Sequence, residues 1–224
     1  MKWLAGLGSL VFIGLSLQAQ TPVPIIREPF HQLKEENSFV RIFDVKVPSW
    51  KTTLFHIHAE DYVFVTFGDS ILKSQTLGQK EEDLILKRGE VRFKAGPVTH
   101  RVRNRGGKPF HNLTIELLRP IPGRTSSSPA LPLGNHQTLA LENDRIRVVR
   151  TILKIGQSTG PHTYRGPGIV VVIKGGTLLN QMEGKGMEGR SLRAGTFSWR
   201  EAASTLSITN AGRRVIELLD IEIK

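Results

Sequence analysis

The 224-residue chain has no cysteine. Disulfides therefore contribute nothing to its stability, thiolate metal sites are excluded, and a lipid-modified cysteine is impossible. Acidic residues are scarce beside basic ones, 20 Asp and Glu against 31 Lys and Arg, for a formal charge of +11 at pH 7. That balance brings nucleic acid or an anionic surface into question as partners. The densest basic stretch, HRVRNR at 100–105, has no aromatic ladder beside it and matches no nucleic-acid motif. Arg101, Arg103 and Arg105 therefore read as one solvated strand face, and nucleic acid is not expected as a partner. Beyond the first residues, no apolar run approaches the roughly 20 residues that span a bilayer. The sequence also lacks Ser-His-Asp spacing, a phosphate-cradling loop and paired catalytic carboxylates.

The N-terminus has its own pattern. Met1-Lys2 gives a short positive start, Trp3 to Leu17 is apolar or small apart from Ser9 and Ser16, and small and polar residues surround Ala19. This predicts a signal peptide over 1–19, cleaved after Ala19, and a secreted or periplasmic protein with no membrane association after cleavage. Loss of Lys2 lowers the positive charge by one.

Internal repetition organises the rest. NSFVRIFDV from Asn37 returns as NDRIRVVRT from Asn143, an offset of 106 residues. The same offset carries Arg41 to Arg147, His56 to His162, Gly89 to Gly195, Asn104 to Asn210 and Glu116 to Glu222. The chain reads as two related copies of one domain, over 28–120 and 137–224. Between them the Pro-, Ser- and Gly-rich stretch marks a linker at 121–136, since proline fixes φ and removes a backbone donor.

Each copy reads as a series of short strands. VRIFDVKV and IRVVRTILKI are rich in β-branched residues, while YVFVTF and IVVVI are continuous apolar runs bounded by turn residues. Such runs suit strands buried on both faces, so the outer face of each sheet is expected to be covered by the other copy. Turn chemistry recurs at RNRGGKP and TNAGRR. Copies of this size with many short strands predict small barrels or jelly rolls.

Within the first copy, LFHIHAEDYV at 54–63 holds His56 and His58. In a strand, residues i and i+2 point the same way, about 6.5 to 7 Å apart. Two such imidazoles reach one ion over bonds of roughly 2.0 to 2.1 Å. His100 follows the glycine turn of GEVRFKAGPVTHRVRN, and a strand pair sharing a barrel interior would bring it opposite them. The competing reading is three polar side chains lining a dry barrel. His111 alternates away from the set and is expected to have its own strand partner, and His31 and His136 sit in unpatterned segments. Trp50 and Trp199 are expected to pack near strand edges or to floor a binding mouth.

These residues resemble the cupin superfamily, and the double copy resembles a bicupin. The first family motif is matched by His56-x-His58, then Asp61-x6-Gly68, with Trp50 where the family has its leading glycine. The second is matched by Gly89-x5-Ala95-Gly96-Pro97-x2-His100-x3-Asn104, with Pro and Gly exchanged. The resemblance covers both copies and implies an all-β chain of two cupin-type jelly-roll β-barrels in tandem. It also implies one divalent transition metal (iron, manganese, nickel, copper or zinc) held by His56, His58, His100 and a carboxylate. Asp61 fits the family register for that carboxylate, and Glu60 fits strict strand alternation.

In the second copy, Tyr164 stands for the second histidine, Gly168 for the acid and Leu206 for His100, which leaves His162 alone. That copy is expected to be structural or to take an organic ligand without metal. The combined reading is an exported bicupin with a mononuclear metal in the first barrel. It would act on a small molecule as an oxygenase or isomerase, with Asp61 or Glu60 as fourth ligand or base. The alternative is a non-catalytic module binding a small polar or sugar-like ligand.

Overall fold

The computed structural model describes residues 20–122, 131–202 and 204–224. The expected signal peptide and residues 123–130 of the expected linker lie outside the described residues. Ten strands come first: β1 (Val23–Pro24), β2 (His31–Glu36), β3 (Val40–Val47), β4 (His56–His58), β5 (Tyr62–Thr66), β6 (Ser70–Thr76), β7 (Glu82–Leu86), β8 (Val91–Lys94), β9 (Val98–Asn104) and β10 (Phe110–Leu117). They form two facing five-stranded sheets, ordered β1-β4-β9-β6-β7 and β2-β3-β10-β5-β8. Nine more follow: β11 (Gln137–Glu142), β12 (Ile146–Leu153), β13 (His162–Tyr164), β14 (Gly168–Lys174), β15 (Gly176–Met182), β16 (Met187–Leu192), β17 (Phe197–Arg200), β18 (Ser204–Asn210) and β19 (Ile216–Ile223). Their sheets run β11-β12-β19-β14-β17 and β13-β18-β15-β16. The fold is two tandem jelly rolls, as the strand patterns and the repeat predict.

The repeat is kept almost residue for residue. His31 pairs with Val45 in the first jelly roll and Gln137 with Thr151 in the second; His56 faces His100, and His162 faces Leu206. One alignment changes. Tyr62 pairs with Glu116, and Gly168 pairs with Glu222, so Gly168 stands for Tyr62 rather than for Asp61. The residue in place of Asp61 is Pro167. Its carbonyl accepts the N–H of Ile223, as the Asp61 carbonyl accepts that of Leu117. A β-bulge between Val172 and Lys174 adds the residue that displaces the sequence alignment.

Strands β3, β5 and β10 are buried on both faces for two different reasons. Phe43, Val45, Tyr62 and Phe64 point into the first barrel. On the opposite face Ile42, Val63, Leu113 and Ile115 pack against Ile146, Val148, Ile169 and Ile221 of the second jelly roll in one apolar cluster. Each copy thus covers the other's outer sheet face, and the two barrels pair within the chain. In β10 the polar residues Asn112, Thr114 and Glu116 face inward and the aliphatic ones outward. The last strand of the first copy therefore holds the two barrels together and also carries polar groups into the barrel.

One expectation is corrected at Trp50. Trp50 is 61% exposed rather than packed, while Trp199 packs beside the shared cluster. Trp50 also has φ of 63°, a left-handed conformation that favours glycine. The second copy carries Gly156 at this place with φ of 75°. The backbone turn of the missing motif glycine is thus retained although the glycine is not.

Candidate metal centre

His56 and His58 lie on the short strand β4 and are both about 1% exposed. Antiparallel pairing puts His100 of β9 directly opposite His56. Ring centroids are 4.6 Å apart for His56 and His100, 5.1 Å for His56 and His58, and 5.2 Å for His58 and His100. Two imidazoles sharing an ion over bonds of roughly 2.1 Å place their centroids about 4.5 to 6.5 Å apart. The three expected histidines meet that requirement.

A fourth ring joins them that the sequence reading passed over. His31, at the start of β2 in the opposite sheet, lies 4.6 Å from His56 and 6.3 Å from His58 between centroids. Ligand nitrogens of His31, His56 and His58 all lie within 4.8 Å of one another. His100 falls outside that tighter group but faces His56 across the strand pair. The sequence concealed His31 because the dipeptide His-Gln recurs at 136–137, one residue out of the repeat register. Structural register matches His31 with Gln137, and His136 is an exposed residue.

The expected carboxylate is elsewhere. Asp61 accepts the N–H of Gly96 at 2.9 Å through Oδ1 and pairs with Arg145 at 2.6 Å through Oδ2. It serves the junction of the two barrels, and neither Asp61 nor Glu60 lines the cavity. Gly96 is needed there because a Cβ would collide with the Glu60 backbone. Beside His58 lies the buried carboxylate of Glu116, 1% exposed. Its Oε2 accepts from Arg41 at 3.0 Å, and its Oε1 lies 3.5 Å from His58 Nδ1. That gap is an electrostatic contact rather than a formed hydrogen bond.

Burial governs the electrostatics. Desolvation pushes the pKa of His56 far down, and the neighbouring imidazoles add to the shift. His58 is lowered by burial against the opposing pull of Glu116, and His100 is pushed down to about 3, again chiefly by burial. All three rings are neutral near pH 7, the form that ligates a metal. Tyr62 stacks on His58 with centroids 3.9 Å apart, and burial drives its phenol pKa up.

The donor set passes a test that a dry polar barrel would fail. Buried polar atoms ordinarily find partners. Here His56 Nε2, His58 Nδ1, His100 Nε2 and Glu116 Oε1 are buried with none. His56 Nδ1 donates to the Leu54 carbonyl at 2.9 Å, so Nε2 carries the free lone pair. Three orphaned imidazole nitrogens and a carboxylate oxygen beside one of them are what a divalent metal would satisfy.

The rings open on a cavity of about 200 Å³ whose wall mixes Val45, Phe64 and Phe110 with Asn112 and Thr114. Arg92 and Lys94 of β8 also line it, together with Glu82 and Asp83 of β7. Arg101 and Arg103 point the other way, since β9 sends His100, Val102 and Asn104 inward. Arg101 lies over Phe55 and bonds Gln75 at 2.8 Å. His111 binds Asp44 at 2.6 Å and packs on Phe67.

The second barrel is filled instead. His162 Nε2 meets the Tyr164 hydroxyl at 3.1 Å and Gln137 at 3.2 Å, and Nδ1 meets the Gly160 carbonyl at 3.1 Å. Buried Arg200 lies 3.7 Å from the Tyr164 ring centroid and binds Asp220 through two 2.8 Å bonds. None of these side chains carries an unpartnered buried atom. Hydrogen bonds take the place that a metal would hold.

No family model and no curated protein matches this chain. Solved structures do. AerE from Microcystis aeruginosa is similar at 13% identity and a TM-score of 0.60, over 88% of this chain and 98% of that one. Salicylate 1,2-dioxygenase from Pseudoaminobacter salicylatoxidans, solved as adducts with gentisate, is similar at 12% identity and 0.58, over 83% and 68%. A cupin 2 conserved barrel domain protein from Leptotrichia buccalis is similar at 11% identity and 0.54, over 87% and 88%. At such identities the likeness carries the fold alone, two jelly-roll barrels in tandem.

Proposed function

We propose that this bicupin is an exported, metal-dependent protein that transforms a small oxygen-rich molecule in its N-terminal barrel. The observation that carries the reading is the group of buried histidine nitrogens without partners, His56, His58 and His100, beneath a cavity of about 200 Å³. A divalent transition metal held there would supply Lewis acidity or a site for dioxygen or a chelating substrate. The chain's own residues do the rest. Glu116 lies 3.5 Å from His58 Nδ1, Arg41 anchors Glu116, and Tyr62 covers the His58 face. Asn112 and Thr114, bonded to each other at 2.7 Å, offer polar atoms for substrate oxygens. Lys94 can meet an acidic group of the substrate, while Glu82, Asp83 and the Glu90-paired Arg92 line the same cavity, and the aliphatic and aromatic wall limits substrate size. Salicylate 1,2-dioxygenase, a neighbour in fold solved as adducts with gentisate, supports a small aromatic acid as one substrate class to test.

The test is metal analysis of natively purified protein, followed by activity screens against small carboxylates, phenols and sugars with iron, manganese, nickel, copper and zinc added back. One metal per chain, lost in His100→Ala and kept in His162→Ala, is expected together with turnover. Equal loss in both variants would place the site elsewhere. Tight ligand binding without turnover under every metal would make the protein a binding module.

A further inference from the structure

The first barrel holds more inward imidazole than its motif requires, and the surplus ring is held by an unusually well-built support. Glu28, 1% exposed, lies just after the 3-10 turn Ile25–Arg27. Its Oε2 takes His31 Nδ1 at 2.5 Å and the Phe30 N–H at 2.8 Å, while Oε1 takes the Leu54 N–H at 3.2 Å. A buried carboxylate is costly unless fully bonded. Here its bonds orient the His31 ring, with Nδ1 turned to the carboxylate and Nε2 left as the nitrogen available to a metal. A metal-ligating histidine is ordinarily held in this way, its second nitrogen donating to a carboxylate or carbonyl.

The same carboxylate also steadies the neighbouring ligand. Leu54 gives its N–H to Glu28 and its carbonyl to His56 Nδ1. The arm that carries Glu28 is tied to the same place, since β1 runs parallel to β4 with Val23 beside His56. Residues 23–31 thus close over the H-x-H strand and deliver His31 to it.

The second barrel supplies an independent comparison. At the place of His31 it has Gln137, whose side chain reaches His162 Nε2 at 3.2 Å. This position therefore aims at the barrel centre in both copies. At the place of Glu28 it has Gly134, whose N–H bonds Gln137 Oε1 at 2.7 Å. The carboxylate, His31, the second motif histidine and His100 are all replaced together in the copy whose centre is filled.

Resting on the metal-dependent reading above, we infer that His31 is a fourth nitrogen ligand of the first barrel's metal and that Glu28 is its positioning residue. An imidazole backed by a buried carboxylate then stands in for the carboxylate ligand that the motif implies, and Asp61 is released to the barrel junction.

The experiment loads the full chain with Co²⁺ and reads affinity by chelator competition and the ligand field by visible absorption. His31→Gln copies the second barrel, so the variant is expected to fold with an unchanged circular dichroism spectrum. It should bind Co²⁺ at least about tenfold more weakly and with a shifted absorption envelope. Glu28→Gln should weaken binding about 10- to 100-fold while keeping the wild-type envelope. Wild-type affinity and spectrum in His31→Gln would overturn the inference while leaving the three-histidine metal site standing. Full affinity in Glu28→Gln would remove Glu28 from it. Failure of the wild-type protein to bind stoichiometric Co²⁺ would overturn the metal-dependent reading itself.

Discussion

At the residue scale, two asparagines show what the repeat preserves. Asn104 Nδ2 bonds the carbonyls of Val47 at 3.1 Å and Lys108 at 2.8 Å, and Oδ1 takes the Gly106 N–H at 2.9 Å. Asn210 does the same with Leu153, Arg214 and Gly212. Each pins the turn after its strand to the opposite sheet. Asn104→Ala should leave buried carbonyls unpaired and cost about 2 to 4 kcal/mol. Chemical denaturation would measure it, with metal content per folded chain retained. The histidines give a pH prediction. Folded His56, His58 and His100 sit below their ordinary value of 6.5, so the unfolded chain takes up more protons on acidification. Stability of the metal-free protein should therefore be full above pH 6.5 and fall as pH drops from there toward about 3, where His100 titrates in the fold. Bound metal should leave over the same descent, because protons compete for its nitrogens. Melting temperatures and metal content followed together would check both. A melting temperature that rose on acidification would contradict the burial of neutral rings.

At the scale of elements, the segments that carry chemistry are short and depend on their neighbours. Strand β4 has three residues, His56–His58, and is held on one side by β9 and on the other by β1. The turn after β4 carries Asp61, which joins Gly96 to Arg145, and Arg145 also bonds the Leu117 carbonyl at 2.8 Å. Asp61→Asn should therefore keep the metal and lose part of the junction. The pair is partly exposed, 22% at Asp61 and 27% at Arg145, so the loss should be about 1 kcal/mol or less. Metal analysis beside thermal melting would separate the two roles; metal loss would return Asp61 to the ligand set.

For the whole molecule, the sheet-to-sheet contact sets the unit of folding. Ile42, Val63 and Ile115 meet Ile146, Ile169 and Ile221 in a single buried cluster. Around it the contacts repeat with changed chemistry. Gly89 of the first copy lies against Arg150 and Glu217, and Gly195 of the second lies against His111. His111 and its partner Asp44 hold the same repeat places as Glu217 and Arg150. Separating the copies would expose a continuous aliphatic sheet face, which water disfavours at about 25 cal/mol per Å². Both barrels should thus melt together in one calorimetric transition although only one binds metal, and metal should raise that single transition. Two transitions, with only the first moved by metal, would show independent barrels.

Much of this was legible along the chain. Spacing by 106 residues determined the duplication, because a duplicated fold keeps its glycines and turn asparagines wherever the backbone needs them. Strand alternation determined that His56 and His58 point together, and the continuous apolar runs determined that both sheet faces are covered. Other features belonged to the tertiary structure. His31 is brought to His56 only when two sheets face each other, and its own strand is otherwise mostly exposed. Asp61 left the site because Arg145, 84 residues away, competes for it. Glu116 entered because β10 turns its polar side inward, the aliphatic side being claimed by the second barrel. Local periodicity reports which way a side chain points. Which groups meet there depends on contacts between distant segments, and those form only when the sheets close.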